Sequence, residues 1–331
     1  MQKQPAWQKR KRSRNRGLCR LFINSDCVKG YGKMKRVKVS NIKEKAMEIV
    51  FLISACISIL SVALICIFLF TNGVPGIAKI GAKEFLLGTE WKPGSQLYGI
   101  LSTIIGSIYV TVGAIIVGVP IGLLMAVFMA RFCPKKLYKI LKPGVELLAG
   151  IPSVVYGFFG LMVLVPFVRN TFRPILMQYG MTTTGQSILA ASVLLGMMIL
   201  PTIINVSESA IRAVPDSYYQ GALALGATHE RSVFMTVVPA AKSGIMAAVI
   251  LGVGRAIGET MAVIMVAGNQ PRIPGSIFDG VRTMTANIVI DMGYATDLHR
   301  EALIATGVVL FVFILIINLL FSLLKKREAH A

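Results

Sequence analysis

The sequence has few charged residues, few acids and no cysteine pattern that would indicate a bound metal. Charged residues make up only 15% of its 331 residues. A soluble globular domain carries about 25%, so the composition argues against a soluble enzyme and against a disordered chain. The five cysteines include no Cys-x-x-Cys pair and have no histidine at zinc-ligand spacing. We therefore expect free thiols and no metal site.

Motifs for enzymatic chemistry are also absent from the sequence. It contains no Gly-x-x-x-x-Gly-Lys-Ser/Thr motif, the loop that holds nucleotide phosphates, so this chain does not hydrolyse ATP by that route. No Ser/His/Asp set on a glycine-rich elbow supports a membrane hydrolase. We expect a protein that is not an enzyme and that binds no cofactor itself.

Long apolar segments are what the sequence has instead. Hydrophobic residues make up 55% of the chain, and its mean hydropathy is +0.69. A membrane-spanning helix needs roughly 20 mostly apolar residues. Six segments meet this requirement, at about 47–70, 98–130, 145–168, 186–211, 243–267 and 302–324. The predicted fold is therefore an all-α membrane protein with six transmembrane helices. Pro120 and Pro201 lie inside the second and fourth segments, where neighbouring helices can satisfy the freed backbone groups.

The basic residues indicate how these helices are oriented. The net charge is +20, and 26 of the 35 Lys and Arg residues lie on the side that would hold both termini. Loops on the cytoplasmic side are enriched in Lys and Arg, so both termini are predicted to be cytoplasmic in a multi-pass membrane protein. Only Arg255 falls inside a predicted span.

The apolar segments and the basic residues divide the chain into three parts. Residues 1–46 form a basic tail that we expect to be disordered, although a contact with anionic membrane lipid is an alternative. No nucleic-acid partner is expected. Residues 47–324 form the six-span domain, and residues 325–331 form a short cytoplasmic tail.

The loop at 214–239, between the fourth and fifth spans, is unusually apolar for a segment outside the bilayer. Ser217 and Gln220 fit a capping box at the start of a short helix, which Gly226 can end in a left-handed conformation. A second short helix is predicted from His229 until just before Pro239. We expect such a hairpin to dock into a partner groove. The alternative is an amphipathic surface helix that has no partner.

This loop resembles the EAA loop of ABC importer permeases. Gln220, Gly221 and Ala222 stand at the Glu-Ala-Ala positions, Gly226 at the glycine, and Pro239 at the final proline, with matching spacing. The resemblance implies that this loop docks into a cleft of a cytoplasmic ATPase subunit. It also implies the type I importer (MetI-like) architecture.

Two further stretches resemble the C-type (PstC-like) permeases of phosphate-specific transport (Pst) systems. They are residues 146–160, which contain Ile-Pro-Ser-Val-Val-Tyr, and residues 252–262, Gly-Val-Gly-Arg-Ala-Ile-Gly-Glu-Thr-Met-Ala. The resemblance implies ATP-driven phosphate import across a bacterial inner (plasma) membrane. It implies four kinds of partner: an A-type permease, two ATPase subunits that use ATP with Mg, an extracytoplasmic phosphate-binding protein, and membrane lipid.

Arg255 and Glu259 are the residues with the clearest chemistry. They are four positions apart in the predicted fifth span and would share one helix face. Charges inside a membrane segment face a cavity or a partner, and the forked donors of Arg suit an oxyanion. We predict that Arg255 lines the substrate path and that Glu259 holds its guanidinium. The alternative is a salt bridge that never touches substrate.

Other residues of the spans have a less specific signal. Ser153 and Tyr156 would add polar groups to the path beside Pro152, which would kink the third span. Gly254 and Gly258 have the spacing typical of close helix packing, as do Gly118 and Gly122.

Two acids lie near the same side of the membrane as the loop at 214–239. We expect both Glu146 and Glu208 to be solvated acids at the membrane interface. Neither is predicted to belong to the substrate path.

The alternatives to phosphate import differ in substrate or in class. A permease for molybdate or sulfate would use the same arginine. A transporter or channel that works without an ATPase would have no need of the docking loop. A membrane regulator acting through the basic tail would depend on residues 1–33.

Overall fold

The computed structural model describes residues 40–178, 180 and 182–328. Most of the predicted basic tail (residues 1–39) and the last three residues lie outside the described residues. Among the described residues, those up to Ile65 and those from Cys66 onward belong to separate compact units. Each is described by itself below.

The first helix, α1, runs over Ser40–Ile80. It begins before the predicted boundary at residue 47, so the prediction of a disordered tail up to residue 46 is wrong for its last seven residues. Lys43, Glu44 and Lys45 are good helix formers and let the helix extend beyond the apolar segment. Within the unit up to residue 65, Ser54 and Ser58 donate to carbonyls one turn earlier, which satisfies their hydroxyls inside the helix.

A short helix and a small hairpin follow α1. They are α2 (Ala82–Leu87), β1 (Trp91–Lys92) and β2 (Leu97–Tyr98), with Trp91 opposite Tyr98 in the antiparallel pair. Their buried side chains pack against the beginning of the last helix, and the cluster comprises Phe85, Trp91, Tyr98, Ile100, Ala302, Leu303 and Ala305.

Helices make up nearly all of the remaining chain. In order they are α3 (Leu101–Val127), α4 (Lys135–Gly150), α5 (Ser153–Phe159), α6 (Val165–Gln178), α7 (Ile188–Arg212), α8 (Asp216–Ala224), α9 (His229–Ser232), α10 (Val238–Ala240), α11 (Lys242–Gly258), α12 (Met261–Val266), α13 (Met284–Met292) and α14 (Asp297–Glu328). Three π turns extend α3, join α5 to α6 and join α9 to α10; they are Phe128–Phe132, Gly160–Leu164 and Val233–Val237.

Within the described residues, five helices are long and apolar enough to cross a membrane. They lie at Glu44–Ile80, Leu101–Phe132, Ser153–Gln178, Ile188–Arg212 and Asp297–Leu323. The segment His229–Ala240 together with Lys242–Gly258 makes a sixth candidate, bent by 69° between its two parts. The second span is a single helix, as predicted.

The predicted start of the third span at residue 145 is wrong. The chain breaks at Ile151 and Pro152, both of which are extended, and the span begins at Ser153. Proline has no N–H for the helix and disfavours a helical residue before it, so two helices meet here at an angle. The helix on the other side, α4, has exposed lysines and exposed leucines, which is typical of a helix lying at the membrane surface.

The close contact of α3 with α7 forms the centre of the molecule. Its core contains Val110, Ala114, Ile188, Ala191, Leu195, Ile199 and Ile203. A Cβ atom at Gly118 would lie 2.8 Å from the carbonyl oxygen of Gly196, and one at Gly122 would lie 2.8 Å from Ile203. The predicted packing role of these two glycines is therefore confirmed. Pro120 and Pro201 lie inside α3 and α7, which continue through them.

Candidate substrate path and docking loop

Arg255 lies in the last turn of α11, half-buried between helices. Its Nη1 donates to Thr202 Oγ1 on α7 over 3.3 Å. No other hydrogen bond or ion pair of this guanidinium is formed within the part of the chain that the structure describes. Most of its donors are therefore available to a ligand. The sequence pattern did not single out Thr202. The available signal was a polar residue next to Pro201 inside a predicted span.

The predicted pairing of Arg255 with Glu259 is wrong. The fifth span is interrupted: α11 ends at Gly258, Glu259 has an extended backbone, and helix resumes at Met261. The Glu259 carboxylate accepts from the backbone N–H groups of Thr260 and Ala262, both over 3.2 Å. An acid is favourable at the first turn of a helix, where backbone N–H groups lack partners, so Glu259 caps α12 and does not hold the arginine.

Ser153 and Tyr156 lie in the first turn of α5. Tyr156 is buried. Its hydroxyl donates to the Leu148 carbonyl over 2.9 Å and so bridges the break between α4 and α5. Ser153 is half-buried at the start of α5. The helix packs closely on α12, because a Cβ atom at Gly157 would lie 3.0 Å from Ala262 Cα.

Two glycines of α11, Gly254 and Gly258, lie on a face that no other part of the described chain covers. A Cβ atom at Gly254 or at Gly258 would meet no heavy atom within 4 Å among the described residues. This face of α11 is open among the described residues, so the packing of Gly254 and Gly258 against another helix stays a prediction. Gly258 coincides with the end of the helix.

The docking loop begins with α8. Ser217 is not the N-cap, because Pro215 is the residue before the helix and Asp216 already lies in it, so the predicted capping box is wrong. Proline before the helix fixes an extended residue there, which moves the helix start ahead of Ser217. Gln220 and Gly221 are exposed on α8 and Ala222 is half-buried.

The end of α8 is as predicted. Gly226 has φ of +84°, the left-handed conformation, and its N–H donates to Leu223 O over 2.9 Å. The N–H of Ala227 donates to Ala222 O over 3.1 Å, which completes the paired bonds of a glycine-terminated helix. Leu225, just before the turn, is 92% exposed.

Pro239 does not end the second helix of the loop. Helical structure continues from His229 to Ala240, with Pro239 at the start of α10. The preceding π turn Val233–Val237 carries i→i+5 bonds, and this widened turn accommodates a residue that has no N–H. The change of direction comes at Ala241, where the helix bends by 69° into α11.

The base of the loop is tied to the end of α3. The Arg131 guanidinium pairs with Asp216 over 3.0 Å and donates to the carbonyls of Ile211 and Val214 over 3.3 and 3.4 Å. Tyr219 shares a hydrogen bond of 2.8 Å with Nδ1 of His229, which joins the two halves of the loop.

Glu208 is buried, contrary to the prediction of a solvated acid, whereas Glu146 is exposed as predicted. The Glu208 side chain is only 2% exposed. Its carboxylate accepts from Tyr138 Oη over 2.8 Å, Arg212 Nε over 2.7 Å and Lys142 Nζ over 3.0 Å. The hydrogen bond to Glu208, followed by burial, raises the pKa of Tyr138. Three donors compensate for the loss of water around the carboxylate, so burial is tolerated.

A second buried carboxylate, Asp291, lies at the opposite end of the spanning helices. It accepts from Trp91 Nε1 over 2.8 Å and from Tyr294 Oη over 2.6 Å. Arg282 Nη1 lies 3.4 Å away and His299 Nε2 lies 3.5 Å away. No sequence pattern indicates this cluster, because its members come from segments that are far apart along the chain.

Comparison with known proteins places the chain among transport permeases. Residues 118–330 match the family model "Binding-protein-dependent transport system inner membrane component". A Bacillus subtilis (strain 168) protein, "Probable ABC transporter permease protein YqgH", is 40% identical, with 84% of this chain and 90% of that protein covered. The "Phosphate transport system permease protein PstC" of Mesorhizobium japonicum is 34% identical, with 76% of this chain and 81% of that protein covered.

Solved structures agree on the fold. A bacterial ABC transporter that imports the acidic polysaccharide alginate contains a chain that superposes with a TM-score of 0.56. The two chains are 15% identical, and the match covers 86% of this chain and 98% of the other. At this identity the likeness concerns architecture alone.

Proposed function

Because the chain belongs to the family of binding-protein-dependent transport system inner membrane components, we propose that it is the C-type permease of an ATP-driven phosphate importer. The observation that carries this proposal is the 34% identity to a phosphate transport system permease over 76% of the chain. A half-buried arginine inside a span supports it, because a permanent positive charge with forked donors suits a phosphate oxyanion.

The substrate path in this proposal runs past Arg255. Its guanidinium would bind phosphate oxygens while Thr202 orients it, and Tyr156 and Ser153 would contribute hydroxyls from α5. Glu259 would act indirectly, by capping α12 and so fixing the break in the fifth span next to the arginine. Charged groups inside a membrane are expensive and mark such paths.

The loop at residues 214–239 would couple this path to an ATPase subunit. Gln220 and Gly221 face outward on α8, and the apolar Leu225 and Met235 are 92% and 73% exposed. Exposed apolar side chains on a loop outside the spans require a partner surface. Energy would come from that partner, which hydrolyses ATP with Mg, while this chain binds no cofactor.

The complete importer would contain several other proteins. Relatives in the family are permease subunits of ABC transporters, and we infer a second, A-type permease, two ATPase subunits and an extracytoplasmic phosphate-binding protein. The membrane would be the bacterial plasma membrane, with both termini and the docking loop on the cytoplasmic side. The excess of basic residues on that side supports this orientation.

Uptake by the complete complex tests the proposal. The complex is reconstituted in lipid vesicles with ATP inside, and labelled phosphate is offered outside together with its binding protein. We expect ATP-dependent accumulation that excess arsenate reduces and that sulfate and molybdate do not. Stronger competition by molybdate or sulfate would favour the other oxyanion, and accumulation without the ATPase would favour a secondary transporter or channel.

Replacing Arg255 tests the path itself. We expect Arg255→Gln to leave the complex assembled, because no ion pair within the described residues depends on this side chain, and to abolish phosphate uptake. Arg300→Gln removes one exposed positive charge at the start of α14 and serves as the matched control. Normal uptake by the Arg255 variant would reject its role in the path.

A further inference from the structure

The Glu208 carboxylate joins two helices that are distant in the sequence. Tyr138 and Lys142 lie on α4, and Arg212 lies on the same helix as Glu208, one turn later. All three donors are within 3.0 Å of a side chain that is 2% exposed. Lys142 also donates to Asn205 over 2.9 Å, so α4 is fastened to α7 at two points.

On one side, this junction leads to the substrate path. Helix α4 ends at Gly150, and the chain then turns at Pro152 into α5, which carries Tyr156. The Tyr156 hydroxyl donates back to Leu148 over 2.9 Å, so the turn is closed by a hydrogen bond. The turn thus connects α4 to Tyr156, and the next residue, Gly157, packs on α12, which begins after the break that follows α11.

On the other side, the junction leads to the docking loop. Arg212 Nη2 donates to the Met129 carbonyl over 2.8 Å, inside the π turn that ends the second span. Arg131 of the same turn pairs with Asp216, the first residue of α8. The carbonyls of Ile211 and Val214, which also accept from Arg131, fix the short connection between α7 and α8.

We propose that Glu208 is a positioning residue that transmits movement of the docking loop through α4 to the bend at Pro152, and so to the substrate path. This inference rests on the proposed function of ATP-driven import. The carboxylate is suited to the task because it is held by charge-assisted hydrogen bonds, which are short and roughly twice as strong as neutral ones. Without its negative charge, Lys142 and Arg212 lose their common partner, and α4 keeps only the Lys142–Asn205 hydrogen bond and apolar packing to hold it on α7.

The test compares ATP hydrolysed with phosphate imported by the complete complex in vesicles. For Glu208→Gln we expect ATP hydrolysis to continue while phosphate import falls, so that the ATP used per phosphate rises on the order of tenfold, the effect of losing one charge-assisted hydrogen bond. Glu146→Gln, which removes an exposed acid from α4, is the matched control and should keep the wild-type ratio.

A purely structural role would give a different result. If the variant only weakened folding, assembled complex would be scarcer and hydrolysis and import would fall together at an unchanged ratio, which would overturn the proposal. Should Glu208→Gln fail to assemble, Lys142→Met leaves Glu208 with Tyr138 and Arg212 and removes one tie to α4. An increased ratio in that variant supports the proposal, and a wild-type ratio overturns it.

The same measurements separate this inference from the proposed function. If the wild-type complex imports no phosphate with ATP, the proposed function fails, and the ratio is then measured with whichever anion the complex does import. If the wild type imports phosphate and both variants keep its ratio, only the role of Glu208 fails.

Discussion

The two buried carboxylates, at opposite ends of the spanning helices, are satisfied in different ways. Glu208 is surrounded by Lys142 and Arg212 at 3.0 and 2.7 Å, together with a tyrosine. Asp291 receives its shortest bonds from the neutral groups of Tyr294 and Trp91, at 2.6 and 2.8 Å. The end that carries the docking loop is thus held by two close cations, whereas at the other end the closest donors are neutral and the cation, Arg282, is farther from the carboxylate, at 3.4 Å.

This difference agrees with the proposed function, in which the end that carries the docking loop couples to an ATPase. A charge-assisted junction is strong, and it depends on all of its members, because removal of one leaves the others uncompensated. A junction of neutral donors is less sensitive to the loss of one member. The comparison predicts that the junction around Glu208 is the more fragile of the two, and four substitutions test this prediction.

The largest effect is expected for Glu208→Ala. Tyr138, Lys142 and Arg212 lose their shared partner at once, and each hydrogen bond to a charged group contributes about 1.5–3 kcal/mol, less where the donor reaches water as Arg212 does. The measurement is thermal unfolding of the purified complex in detergent, with Glu146→Ala as the control on the same face of the membrane. A loss of stability no larger than that of the control would contradict the assignment of Glu208 as buried and paired.

A smaller effect is expected for Asp291→Ala. Tyr294 has access to solvent, and Arg282 keeps its bonds to Asn287 and to the Asn269 carbonyl, at 3.0 and 3.3 Å. The cost is therefore that of unsatisfied hydrogen-bonding groups, about 1–3 kcal/mol. Thermal unfolding under the same conditions gives the ranking, and the comparison would be reversed if this variant lost more stability than Glu208→Ala.

The smallest effect concerns the two tyrosines at alkaline pH. The hydrogen bond to Glu208 raises the pKa of Tyr138 above 10.0, and that to Asp291 does the same for Tyr294, with burial adding to both. A raised pKa in the folded state means that the stabilisation is complete below pH 10 and is lost as pH rises through the raised value. We expect Tyr138→Phe and Tyr294→Phe each to flatten the fall in stability above pH 10, as measured by unfolding midpoints. If the stability of a variant falls above pH 10 as steeply as that of the wild type, the replaced tyrosine does not contribute to the pH dependence.

Local features of this fold could be predicted from the sequence. The glycine that ends α8 was identified because the left-handed conformation depends on one residue, Gly226. The long apolar segments gave the second, fourth and sixth spans closely, because hydropathy depends only on composition within a window. The packing of Gly118 and Gly122 followed from their spacing alone.

Features set by distant residues could not be predicted. Glu208 is buried because Tyr138 and Lys142, 70 and 66 positions away, reach it from another helix. The interruption after Gly258 could not be predicted because apolar residues continue on both sides of Arg255, Glu259 and Thr260, so that hydropathy alone indicates one continuous span. Glu259 turns away from Arg255 because its carboxylate accepts from the backbone N–H groups of Thr260 and Ala262.

The π turn Phe128–Phe132 has a consequence for changes in chain length. A π turn holds one residue more than an α turn, and each residue of an α-helix advances the side chains by about 100°. A one-residue deletion within this turn would leave α3 still long enough to cross the membrane. It would, however, rotate Arg131 away from Asp216 and remove the Met129 carbonyl from Arg212. The number of residues in this turn therefore cannot change by even one without loss of these contacts. The length of the span itself is less constrained.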